Sequence, residues 1–144
     1  MSVRSNGFLR SKTIYVAGPM RGYDNWNYDA FHKHADALRS HGWNVINPAE
    51  LDSEYAEGKW SGENGILESD PHSFNPKINY NHQEFLREVL LRDLSYIAKD
   101  CGAIYMMQGW EKSKGAKAEW ALAKALDLKI YYEIPLAEYE SHEN

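Results

Sequence analysis

The sequence predicts an α/β fold built on a mainly parallel sheet, and three observations carry that expectation. Short β-branched and aromatic runs at Thr13–Ala17, Trp43–Ile46, Cys101–Met107 and Lys129–Tyr132 have the composition of buried strands. Segments with helical apolar spacing separate them. Strand, helix, strand in that order implies a right-handed crossover and parallel neighbours.

The elements follow in order. Met1–Ser11 is polar and reads as a flexible arm, after which Thr13-Ile-Tyr-Val-Ala17 is the first strand. It stops at the turn Gly18-Pro-Met-Arg-Gly22, whose glycines let backbone approach a ligand and whose Arg21 suits a bidentate phosphate contact. A plain Gly-Pro turn with a solvated Arg is the alternative. Asn27 is a candidate cap for a helix with Phe31, Ala35 and Leu38 at i, i+4 and i+7, which Gly42 ends. His32, His34 and His41 ride on this helix as surface residues. Trp43-Asn-Val-Ile46 is the second strand, closed by Asn47-Pro48.

Asp52–Asn81 breaks the alternation. It is rich in Gly, Ser, Asn, Asp, Glu and Pro, with Tyr55, Trp60, Ile66 and Phe74 as isolated apolar anchors. A structureless stretch of about thirty residues inside a small domain is uncommon and points to a lid or a subunit-contact insertion. Gln83–Lys99 is the next helix, with Leu86, Leu90 and Ile97 on its apolar stripe and Asp93 inside that stripe. A carboxylate there is paired, or is kept neutral and suited to general acid work. A structural pair with Arg87 or Arg92 is the competing account.

Cys101–Met107 is the third strand, and Trp110 in the following loop walls a ligand pocket or packs on the surface. Ser113 caps the last helix, whose free N–H groups form an anion site. Ala118, Ala121, Leu122 and Ala125 give that helix a small-residue face with Glu119 at its border. Glu119 lies a rise of roughly 9 Å beyond the cap, and its side chain tilts back toward it past Gly115 and Ala116. The turn after strand one and the Ser113 cap fall on the same sheet edge, where open α/β sheets bind ligands. Tyr15, midway along strand one, is placed to bond Glu119 and hold it ionised. Lys129–Tyr132 is the fourth strand, and Pro135–Asn144 is a polar tail.

At 144 residues the chain is one domain, and 43% hydrophobic with 26% charged residues is ordinary for a folded protein. A net charge of −5 argues against a nucleic-acid partner, while a small anionic substrate needs only a few local donors. Cys101 alone cannot form an internal disulfide and fits a reducing cytoplasm. No apolar run has transmembrane length, so no membrane partner is expected. The six histidines show no ligand spacing, so no metal site is expected.

Tyr15-Val-Ala-Gly-Pro-Met-Arg-Gly22, Arg92-Asp93-Leu94 and Ser113-Lys-Gly-Ala-Lys-Ala-Glu119 together resemble the signature of the nucleoside 2-deoxyribosyltransferase superfamily. The resemblance runs over most of Lys12–Tyr132 apart from Asp52–Asn81. It is nearest to the 2′-deoxynucleoside 5′-monophosphate N-glycosidases and to small phage and bacterial members. It implies a flavodoxin-like (Rossmann-like) three-layer sandwich of four or five strands over residues 12–134, with an insertion at 52–81. It also implies retaining chemistry at C1′ without a cofactor, with Glu119 as nucleophile, Tyr15 as its orienting partner and Asp93 as the carboxylate that helps protonate the leaving base or contacts the sugar. By the same carry-over Arg21, Gly22, Ser113 and Gly115 would bind the 5′-phosphate, while Gly18 and Met20 of the first turn and Trp110 complete the candidate substrate-binding set from their place in the chain. Pro19 and Met20 depart from the hydroxyl or basic residues found in some members. Pro135–Asn144 shows no counterpart of the carboxylate that a neighbouring subunit supplies in the transferases. The resemblance therefore favours a monophosphate hydrolase over a base-exchanging transferase. It also implies a homodimer or larger homo-oligomer. A non-catalytic nucleotide-binding module and an interaction protein working through the insertion stay open.

Overall fold

Every residue of the first strand, β1 (Thr13–Ala17), is buried, which is what a central parallel strand covered on both faces requires. The computed structural model describes residues 9–59 and 82–134. The further elements are α1 (Tyr28–Ser40), β2 (Asn44–Ile46), α2 (Pro48–Lys59), α3 (His82–Asp100), β3 (Ala103–Met106), α4 (Lys114–Ala125) and β4 (Lys129–Tyr132). The four strands pair in the order β2-β1-β3-β4, and every pairing is parallel. Tyr15 stands in register with Ile46 on one side and Ile104 on the other. The result is an α/β sandwich of three layers, consistent with the flavodoxin-like class.

The period of two along β1 sorts its side chains between two cores. Ile14 and Val16 join Phe31 and Ala35 of α1, whereas Tyr15 and Ala17 join Ile97 of α3 and Ala116 and Ala123 of α4. Tyr15 is thereby committed to the face that also receives Asp93 and Glu119. The strand order reverses between β1 and β3, so the loops that leave these two strands open a crevice at their C-terminal ends.

Several expectations are revised. Pro48–Lys59 is a helix, so Asp52 lies within a regular element instead of opening a structureless insertion. The cause is local: Asn47 Oδ1 accepts the Ala49 N–H at 2.9 Å, and Pro48 takes the first helical position, where its missing N–H costs nothing. Asn27 does not cap α1 through its side chain. Asn25, Trp26 and Asn27 all have positive φ (51°, 53° and 61°), and Asn27 Nδ2 donates to the Pro19 carbonyl at 2.9 Å, tethering the turn after β1. Leu9–Ser11, expected at the end of a loose arm, leads into a 3-10 turn over Arg10–Lys12, and Arg10 Nε donates to the Lys99 carbonyl at 2.7 Å. Gly42 ends α1 at φ +94°, as a C-terminal glycine should. The expectations for residues 1–8, 60–81 and 135–144, which cover most of the insertion and the tail, lie outside the described residues. No described helix is long and apolar enough to cross a membrane.

Gly18 serves packing as much as ligand approach: a Cβ there would stand 2.8 Å from Met107 Cβ. A Cβ anchored to backbone cannot swing aside. Gly18→Ala should therefore destabilise the fold by about 1–3 kcal/mol, read as a lower urea midpoint at unchanged slope. An unchanged midpoint would mean that the β1–β3 loops shift freely.

Candidate active site

A cavity of about 770 Å³ opens at the C-terminal ends of β1 and β3. Its walls come from the turn after β1, from α2 and α3, and from the start of α4. Gly22 adopts φ +87°, and this conformation shapes the turn that brings Met20 and Arg21 to the rim. Ser113 is the N-cap of α4, and its Oγ accepts the Ala116 N–H at 3.1 Å. The earlier N–H groups, those of Lys114 and Gly115, have no intrahelical acceptor by helix geometry, and both residues line the cavity. A Cβ on Gly115 would meet nothing within 4 Å, so glycine keeps this end of the helix open.

The buried face of α4 is Ala116, Glu119 and Ala123, spaced i, i+3, i+7. Ala121 and Ala125, expected on the packing face, are exposed. Glu119 thus sits in the middle of the packed face instead of at its border. The Tyr15 hydroxyl donates to Glu119 Oε2 at 2.7 Å.

Asp93 reaches the same cavity from the apolar stripe of α3, between Leu90 and Ile97. Its partner is Arg92: Nε lies 2.8 Å and Nη2 2.7 Å from Asp93 Oδ1. Arg92 Nη2 also lies 2.6 Å from Asp52 Oδ1, and Tyr28 OH donates to Asp52 Oδ2 at 2.8 Å. Asp52, Asp93 and Glu119 are only 5%, 8% and 6% exposed.

Burial dominates the electrostatics. It pushes the Asp93 carboxyl up to about 6; Arg92 pulls the other way, and Asp52 adds to the rise. Burial also drives Glu119 well above the ordinary carboxylate range, reinforced by Asp93 and opposed by the Tyr15 bond and Arg92. The Tyr15 hydroxyl meets Glu119 as expected and favours its ionised form, but burial outweighs that single neutral hydrogen bond. Tyr15 itself is raised by burial and by the two carboxylates, so it stays a phenol and a donor. For Arg92, burial works against the cation, but Asp93 and Asp52 outweigh it and keep the guanidinium charged.

Of the residues singled out from sequence, Tyr15, Gly18, Met20, Arg21, Gly22, Asp93, Ser113, Gly115 and Glu119 all line this cavity. Trp110 does not. Its ring stacks on Trp120 at 5.2 Å and near Tyr132 at 6.1 Å, and Trp120 Nε1 donates to Tyr132 OH. It packs with them at the margin of the core that holds Ile104 and Ala116. Sequence reasoning missed Asp52, and it considered Arg92 only as a structural partner. The Asn47-Pro48 start signal, read as a helix, would have placed Asp52 one turn into α2. It also missed Trp26, which the left-handed turn brings to the wall, and the exposed cations Arg87, Lys112 and Lys114 at the rim beside Arg21.

A carboxyl whose pKa is higher in the folded than in the unfolded chain stabilises the fold at low pH. For Asp93 that contribution is lost as pH rises from about 3.8 through about 6. Glu119 acts in the same direction. Glu119→Gln, which keeps an acceptor for Tyr15, should therefore stabilise the protein by about 1–3 kcal/mol near neutral pH, with a smaller gain near pH 5. Urea melts at the two pH values check this, and a loss of stability at neutral pH would contradict it.

Neither the curated proteins nor the solved structures yielded a match. The model of one protein family matches residues 12–68 and 69–132, a span that holds every strand and every wall of the cavity. The chain belongs to that family, whose description is "Domain of unknown function (DUF4406)".

Proposed function

We propose that this protein cleaves the N-glycosidic bond of 2′-deoxynucleoside 5′-monophosphates, releasing free base and deoxyribose 5-phosphate. The observation that carries the reading is the 2.7 Å bond from Tyr15 to Glu119 Oε2 at the wall of a cavity that also holds Asp93. Two buried carboxyls with raised proton affinity suit retaining glycosidic chemistry, in which one attacks and the other moves a proton. Tyr15 occupies Oε2 and leaves Oε1 as the attacking atom. The N-terminus of α4 and the rim cations Arg21, Lys112 and Lys114 supply the donors for a 5′-phosphate.

In the first step Glu119 Oε1 forms a bond to C1′ while the C1′–N bond breaks. The electron pair of that bond goes to the base nitrogen, which takes the proton carried by Asp93. In the second step water attacks C1′, its proton passes to the Asp93 carboxylate, and the Glu119 carboxylate departs. The two carboxyls share one proton before turnover, and the productive arrangement places it on Asp93. The apolar walls from Met20, Trp26 and Leu90 offer the base a dry surface and raise the worth of each hydrogen bond at C1′.

Incubating the protein with the four deoxynucleoside monophosphates and measuring free base, with and without an acceptor base, tests the reading. Release from at least one substrate is expected, and exchange in place of hydrolysis would identify a transferase. Absence of both from every substrate would refute the assignment. Glu119→Ala should lower turnover by at least about a thousandfold while nucleotide still binds. The profile of rate against pH should be bell-shaped, because Glu119 must be ionised while Asp93 carries a proton.

Gly115→Leu places a side chain over the start of α4, where nothing in the fold obstructs it. It should raise KM for the monophosphate at least about tenfold with little change in thermal stability. Equal effects on phosphorylated and unphosphorylated nucleosides would place the phosphate elsewhere.

A further inference from the structure

Arg92 stands between two buried carboxylates that belong to different helices. Its Nη2 lies 2.6 Å from Asp52 Oδ1 on α2 and 2.7 Å from Asp93 Oδ1 on α3, and its Nε lies 2.8 Å from the same Asp93 oxygen. Tyr28 of α1 bonds the other oxygen of Asp52 at 2.8 Å. One planar guanidinium therefore joins α2 to α3, and through Asp52 to α1. As a device for stability this is poor: desolvating such a cluster costs about as much as its attractions return, and apolar side chains of similar volume serve a core at least as well. As a device for orientation it is good. Arginine presents its donors in a fixed fork, so it holds the direction of a carboxyl as well as its charge.

The distribution of contacts is informative. The Arg92 contacts to Asp93 fall on Oδ1, and Tyr15 is a further hydrogen-bonding neighbour of the same carboxyl. Asp52 also lines the cavity, which places the whole bridge at the wall where a substrate sits. The titratable and charged groups around Asp93 are Arg92 on its own helix, Asp52 on α2, Tyr15 on β1 and Glu119 on α4. Arg92 is the cation in that group, and Asp52 competes with Asp93 for it.

We propose that Arg92 and Asp52 are positioning residues for Asp93. The guanidinium holds the carboxyl by Oδ1 and fixes its direction toward the substrate, and Asp52 draws off part of the cation's charge. The two residues consequently push the proton affinity of Asp93 in opposite directions: Arg92 lowers it and Asp52 raises it. Charge alone sets that opposition, so the midpoints report the coupling, and the loss of kcat in Arg92→Lys is what separates a positioning role from one confined to holding the fold together. The catalytic meaning of this bridge rests on the base-release reading; the coupling among the three side chains does not.

The test uses the full chain and two measurements on each variant. One is the titration midpoint of the Asp93 carboxyl, followed by carbon-13 NMR with labelled aspartate and assigned with Asp93→Asn. The other is the pH profile of base release from the deoxynucleoside monophosphates. Asp52→Asn should lower the Asp93 midpoint by at least about half a pH unit, and Arg92→Gln should raise it by at least about one. Arg92→Lys keeps the charge and loses the fork, so it should lower kcat by about tenfold or more while KM stays within about threefold.

Should Arg92→Gln fail to fold, Asp52→Asn and Arg92→Lys decide the matter. An Asp93 midpoint that stays put in Asp52→Asn, or that moves the same way in Asp52→Asn and Arg92→Gln, overturns the proposal. So does an Arg92→Lys protein with wild-type kcat. If the wild-type protein releases no base, the functional reading fails on its own, and the NMR midpoints still decide the coupling.

Discussion

Three carboxylates and one guanidinium are taken out of water together at the C-terminal end of the sheet, and the rest of the site is arranged around the cost of doing so. Each of Asp52, Asp93 and Glu119 is nearly inaccessible, and each comes from a different helix. A single cation cannot balance three anions, so the cluster keeps a proton under conditions in which free carboxyls would have lost theirs. The fold absorbs this cost elsewhere, through the fully buried β1 and the two apolar cores on either side of it. Chains retain such clusters where a proton has to be held and released, which is why strongly perturbed carboxyls in a cleft mark functional sites.

That constraint explains why β1 is central in two senses. Its period of two sends Ile14 and Val16 to the α1 core and sends Tyr15 toward α3 and α4. In an edge strand Tyr15 would be solvated, and its hydroxyl would find water in place of Glu119. Held between β2 and β3, the phenol has a fixed position, and the pairing registers bring it level with Ile46 and Ile104. The geometry of the site is therefore a property of strand order as much as of residue identity.

Much of this was legible in the chain. Strand composition and helical spacing located all four strands and α1, α3 and α4, because those elements bury one face and must show it in their periodicity. Asp93 stood out because it interrupts an apolar stripe, and Tyr15 and Glu119 followed from the sheet edge they share. α2 did not show, because its first turn buries Ala49 and Asp52 and offers no apolar stripe. Its signal was the Asn47-Pro48 pair, which also reads as a strand end. With α2 unseen, Asp52 looked like loop, and the second partner of Arg92 had no place to stand. The packing face of α4 was misplaced by one position for a related reason: alanines are small enough to sit on either face, so their spacing alone does not say which side is buried. Trp110 shows the same limit, since a loop's direction depends on contacts such as Trp120 and Tyr132 that no local pattern contains.

The charge of the chain and the charge of its cavity point in opposite directions, and the difference orients a ligand. The protein is acidic overall at −5, yet Arg21, Arg87, Lys112 and Lys114 gather at the rim, and the carboxyls lie beneath them. An anion approaching the rim meets cations and the open N–H groups of α4; one driven deeper meets carboxylates and is repelled. The arrangement suits a molecule with a negative end for the rim and an uncharged, electrophilic middle for the carboxyls, as the proposed function requires. Glycine at position 115 keeps the first of these contacts open, and the Tyr15–Glu119 bond prepares the second. The separation of the two zones, set by the length of the first turns of α4 between Ser113 and Glu119, selects for distance as well as for charge. The proposed reaction, at a carbon a few bonds from a phosphate, is consistent with that spacing.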